Sequence, residues 1–184
     1  MDTGETWFRE LLTEMGEDPD RPGLARTPAR VREALLHLTR GYREDLPALL
    51  EGGVFEETSR DTVLVRDLEF LSLCEHHVLP FLGHVHVGYV PDGRIAGLSR
   101  IARVVDVFAC RLQVQERMTG QIADALEGFL KPAALGVVVT ARHLCMKARG
   151  VHKGESDVVT SAWRGPDGSD PAFREALLRQ IGRP

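Results

Sequence analysis

Residues 99–130 read SRIARVVDVFACRLQVQERMTGQIADALEGFL, and this stretch decides the fold. Ile101, Val104, Val105, Phe108 and Leu112 follow a 3.6-residue period. Ser99 stands ahead of them as a candidate N-cap, which predicts a helix over 100–112. Met118, Ile122, Ala125, Leu126, Phe129 and Leu130 predict a second helix over about 115–130, closed by Lys131-Pro132.

What flanks this pair sets the class. Upstream, 62–73 is rich in Val, Leu and Phe, and 82–90 (LGHVHVGYV) alternates before the turn signal Pro91-Asp92-Gly93. Downstream, 135–146 is a strongly apolar strand and 156–163 (SDVVTSAW) a weaker one. The predicted core runs strand, strand, helix, helix, strand, strand. That order is α+β with a mainly antiparallel sheet, a ββααββ core.

The N-terminal part reads as helical. An amphipathic helix is predicted over 5–16, a turn-rich loop over 16–25, and a helix from Thr27-Pro28 to about Arg40, ended by Gly41. Gly165–Asp170 is a turn, and Pro171 opens a C-terminal helix. The expected division is an N-terminal helical segment, 1–60, and an α+β domain with the C-terminal helix, 61–184.

Composition excludes several function classes. The 184 residues suit one domain with a full core, at 43% hydrophobic and 27% charged. A net charge of -4 argues against a general nucleic-acid binder. No apolar run approaches the ~18 residues of a membrane span. The opening MDTGETWFRE lacks the basic and apolar regions of a signal peptide, so a cytoplasmic protein is expected. Three cysteines in that setting point to reduced thiols for metal binding or catalysis.

The thiols have suitable company. SLCEHHVLP at 72–80 offers Cys74 and His77 three apart, and VVVTARHLCMKARG at 137–150 adds Cys145. Thiolate and imidazole suit zinc, and three protein ligands leave one position open, the mark of a catalytic rather than a structural site. If the strand runs through 146, His143 and Cys145 share a face. His143 is then a fourth ligand or a free acid/base group, and His76 poses the same choice. The set also suits small buried cysteines and surface histidines with no metal. His84 and His86 read as surface or core-edge residues, and Cys110 as packing.

Charged groups surround these residues. Arg100 and Arg103 fall in the first turn after Ser99, where helix N–H groups and guanidinium forks favour phosphate. Lys147 and Arg149 follow Cys145 at the same parity. A solvated cationic face is the plainer reading of all four. Glu116, beside Gln115, has a carboxylate that can accept from a guanine N1–H and its exocyclic amine. It equally suits a helix first turn.

Taken in order, SLCEHH, GLSRIARVV, QVQERMTGQI and HLCMKARG closely resemble GTP cyclohydrolase I of the zinc-dependent type. GEDPDRPGLARTPARV at 16–31 and Gly41-Tyr42 resemble it too, so the likeness spans about residues 8–165. The resemblance implies the tunnelling fold, a toroidal homodecamer with active sites between subunits, and hydrolysis of GTP to formate and 7,8-dihydroneopterin triphosphate. It places the Zn2+ ligands on Cys74, His77 and Cys145, and the acid/base histidines on His76 and His143. Guanine recognition falls on Gln115 and Glu116. Phosphate contacts fall on Ser99, Arg100, Arg103 and Arg149, with Lys147 close by. Arg100 stands where the family usually has Lys, and Leu112 where Pro is common. Two alternatives are another tunnelling-fold enzyme acting on a pterin or deazaguanine, and a non-catalytic zinc-stabilised module.

Overall fold

The computed structural model describes residues 3–148 and 156–182. They form a mixed α+β structure with, in order, α1 (Thr3–Glu14), α2 (Thr27–Leu38), α3 (Leu46–Leu50), β1 (Val54–Glu56), β2 (Val63–Cys74), β3 (Pro80–Val90), β4 (Arg94–Ala96), α4 (Leu98–Ala109), β5 (Leu112–Gln113), α5 (Gln115–Leu130), β6 (Ala134–His143), α6 (Leu144–Lys147), β7 (Val158–Arg164) and α7 (Pro171–Ile181). Two compact units divide at Arg40/Gly41. The first holds α1 and α2. Residues 41–60, assigned by the sequence to the N-terminal segment, fall in the second unit.

The second unit is built on a five-stranded sheet of order β5-β2-β3-β6-β7. Only the short β2–β5 pairing is parallel. Alternation along β3 and β6 sends Val85, Val87, Tyr89, Leu135, Val137 and Val139 to one face. There they meet Ile101, Val104 and Val105 of α4 and Met118, Ile122 and Leu126 of α5, all at most 1% exposed. Each such side chain contributes about 1.5–3 kcal/mol through burial. The opposite face receives Leu177 of α7 over Gly88 and Gly136. A Cβ on Gly136 would stand 2.5 Å from Leu177 Cδ2, so only glycine lets the helix sit this close.

Several expectations are corrected. α4 is capped by Gly97, not Ser99, which is its second residue and makes no capping hydrogen bond. The cause lies in β1 and β4, a small antiparallel pair with no local signature, which bring Gly97 N–H onto the Gly53 carbonyl at 2.9 Å. α4 stops at Ala109 because Leu112 and Gln113 join the sheet as β5. Thr27 is the first residue of α2, and Arg26 holds the cap position.

The consequential correction concerns β6. It ends at His143, and Cys145 lies on the single helical turn α6. His143 pairs with Phe81, so the next partner along β3 is Pro80, which has no N–H to offer the ladder. The chain turns instead, closed by Ala148 N–H on the Leu144 carbonyl at 2.7 Å. Strand parity therefore does not place His143 beside Cys145.

β2 also carries a bulge between Val65 and Leu68, with Asp67 at φ 58. Its N–H donates to Nδ1 of His86 at 3.2 Å. His86 is 6% exposed and is a core residue, whereas His84 is exposed. Burial pushes the His86 pKa below 6.5, opposed in part by Asp67, while His84 and Arg66 push it further down. A depressed histidine contributes stability above the unfolded value, lost as pH falls from 6.5 towards the folded value. His86→Gln should flatten that window: its thermal midpoint falls less between pH 7 and pH 5 than that of the parent chain. Parallel curves would count against this role.

Candidate active site

The end of the sheet where β2 and β6 finish and β3 begins gathers most of the chemistry. Cys74 is the last residue of β2. Its N–H donates to the Leu79 carbonyl at 2.9 Å, and its own carbonyl accepts from Val78 at 2.8 Å and His77 at 3.3 Å. The turn holds Val78 at φ 54, a left-handed conformation unfavourable for a β-branched residue. Strain of that kind clusters at functional sites.

Ligand atoms of Cys74, His77 and Cys145 all lie within 4.8 Å of one another. His76 Nδ1 also stands 3.9 Å from Cys74 Sγ but is outside that group. Donor chemistry fits a borderline-soft dication, since the S···S edge of a zinc tetrahedron is about 3.8 Å. Burial pushes the Cys145 thiol up, and the neighbouring Cys74 sulfur adds to the effect. A bound dication reverses both, because coordinating thiols are deprotonated.

His143 stacks on Phe81, with ring centroids 4.6 Å apart and planes 3° from parallel. Its Nε2 lies 2.8 Å from Gln115 Oε1. Burial lowers its pKa, and the charge of Glu116 partly restores it. Glu116 is exposed in the first turn of α5. His143 and Lys147 line one cleft with His84 and Thr140.

The remaining cations stand apart. β4 follows the far end of β3, where Tyr89 Oη accepts from Ala96 N–H at 3.1 Å. α4 starts there, so Ser99 and Arg100 lie about 14–15 Å of helix from its cysteine-side end at Ala109, while Arg103 falls mid-helix, about 9 Å from that end and beyond the first turn. Arg100 packs on Gly53 and donates through Nη1 to the Leu49 carbonyl, which ties it to α3. Arg103 is exposed. Arg149 lies outside the described residues.

Comparison with known proteins gives the family. A family model described as GTP cyclohydrolase I matches residues 4–182. The chain belongs to the GTP cyclohydrolase I family. It is 51% identical over 177 residues to "GTP cyclohydrolase 1" of Leptospira biflexa, covering 96% of this chain and 97% of that one. It is 53% identical over 173 residues to "GTP cyclohydrolase 1 2" of Nostoc sp., covering 94% and 80%. The Methylococcus capsulatus "GTP cyclohydrolase 1" is 49% identical over 179 residues, covering 97% of each.

In this GTP cyclohydrolase I chain, sequence reasoning missed the residues that brace the site. Arg117 pairs with Glu75, between Cys74 and His76, and holds its carboxyl below the usual range. Arg117 Nε also donates to Gln113 Oε1 at 3.2 Å, and Glu75 N–H donates to the Gln113 carbonyl at 3.0 Å. These contacts tie the cysteine turn to the start of α5. The one sequence signal was an acidic residue inside a Cys-x-x-His spacing. Among the described residues, no helix is long and apolar enough to cross a membrane.

Proposed function

We propose that this chain hydrolyses GTP at C8 of the guanine, releasing formate and forming 7,8-dihydroneopterin triphosphate, the first step of tetrahydrofolate and pterin synthesis. The observation that carries this reading is the Cys74, His77 and Cys145 group with a separate histidine, His143, within the field of Glu116. A purely structural metal needs neither.

Cys74, His77 and Cys145 would hold Zn2+. When bound there, zinc supplies Lewis acidity that makes water nucleophilic near neutral pH. Glu116 accepts from guanine N1–H and the 2-amine, which orients C8 towards the cysteine turn. His76 and His143 carry protons to the nitrogens freed as the imidazole ring opens and to the rearranging ribose.

The triphosphate falls to Ser99, Arg100, Arg103, Lys147 and Arg149. Ser99 and Arg100 sit at the far end of α4 from the cysteine turn and Arg103 at its middle, which supports their reaching the site from a second copy of the chain. That separation supports a homo-oligomer with sites between subunits; the assembly proposed is the toroidal decamer of the tunnelling fold, in the cytoplasm. Arg100, tied to Leu49, acts there mainly by shaping the phosphate wall.

Guanine selectivity tests the reading. GTP is consumed and ATP is not, since adenine offers Glu116 neither donor; equal use of both would overturn it. His76→Ala keeps its metal while kcat falls about 10²–10⁴-fold. Steady-state kinetics with metal analysis checks this, and a near-normal rate would remove His76 from the mechanism.

A further inference from the structure

Gln115 stands beside the base-reading Glu116, yet its side chain points into the fold. It is 1% exposed. Its Nε2 lies 3.1 Å from the Val139 carbonyl, 2.9 Å from the Val158 carbonyl and 3.2 Å from Thr160 Oγ1. Carbonyls only accept, so the amide nitrogen must occupy that side and the oxygen must face His143. Oε1 then accepts from His143 Nε2 at 2.8 Å. Thr119 locks the arrangement, its Oγ1 donating to the Gln115 carbonyl and lying 2.7 Å from Thr160 Oγ1.

We propose that Gln115 is a positioning residue for His143, fixing its N–H at Nε2 and its ring direction, and that its side chain does not contact guanine. The inference rests on the reading of His143 as an acid/base group in GTP hydrolysis. Two constraints converge on that ring. Phe81 stacks on its plane, and Gln115 fixes rotation within the plane. Nδ1, without a hydrogen-bond partner among the described residues, is left as the nitrogen that faces substrate. To reach guanine, Gln115 would have to leave two backbone carbonyls, Thr160 and His143 at once. An amide so fully used inside the protein has no group left to read a base.

The test uses the full, zinc-loaded chain with Gln115→Met, His143→Ala and the double variant, with bound zinc and thermal midpoint as controls. Gln115→Met lowers kcat about 10–100-fold, as loss of an outer partner that orients a working histidine does. KM for GTP stays within about twofold. In the His143→Ala background, Gln115→Met costs less than about twofold more, the non-additivity expected of residues acting as one unit. A raised KM with kcat kept, or full additivity, would overturn the inference. Wild-type kcat in His143→Ala alone would instead overturn the role of His143. Should Gln115→Met fail to fold, Thr160→Val removes one tie on the amide: kcat falls with KM unchanged, and a wild-type kcat counts against the proposal.

Discussion

Cys145→Ser leaves a chain that retains almost no zinc after dialysis and hydrolyses GTP at least about a thousandfold more slowly, ~4 kcal/mol of lost transition-state stabilisation. Serine keeps the size of the side chain but replaces a soft thiolate with a hydroxyl that stays protonated near neutral pH. The three donors lie within 4.8 Å of one another, so removing one leaves a two-ligand site. Cys145 sits half-buried on the one-turn helix α6, at the edge of the core cluster it packs against, where serine nearly keeps its volume. The substitution therefore spares the fold, and the thermal midpoint of the metal-free variant should match that of the metal-free parent. Elemental analysis of the dialysed protein decides the matter. A variant with one tightly held zinc per chain and normal turnover would remove Cys145 from the site.

Glu116→Ala keeps zinc and loses GTP hydrolysis by about 10²–10⁴-fold, because guanine N1–H and the 2-amine lose their shared acceptor. Glu116 is exposed at the start of α5 and is not part of the hydrophobic core cluster among the described residues, so stability should change little. The same substitution removes the charge that partly offsets burial at His143. Kinetics on GTP alongside metal analysis separates binding from metal loss. Undiminished kcat/KM would show that another group reads the base.

The sequence was most legible where periodicity and punctuation agreed. The second predicted helix became α5 at its stated bounds, since its apolar face is regular and Lys131, at φ 49, ends it just before Pro132. Local signals failed where the deciding partner lay far along the chain. β1 and β4 are separated by about forty residues and exist only through pairing with each other, and with them the cap moved from Ser99 to Gly97. Cys145 was named as a ligand by its company, while the strand geometry offered for it does not hold. Pro80, 65 residues away in sequence, is what ends β6 before Cys145. Motif order likewise set Gln115 beside Glu116 but said nothing of its direction. That follows from carbonyls on β6 and β7 that no spacing rule brings to α5.

The most direct test of the account is a product assay. The purified chain, loaded with zinc, is incubated with GTP, and formate is measured together with the neopterin fluorescence that appears after oxidation. One formate per neopterin is predicted, with both products abolished by a chelator and restored by added zinc. Unchanged GTP in the zinc-loaded sample, or turnover that survives complete removal of the metal, would contradict it.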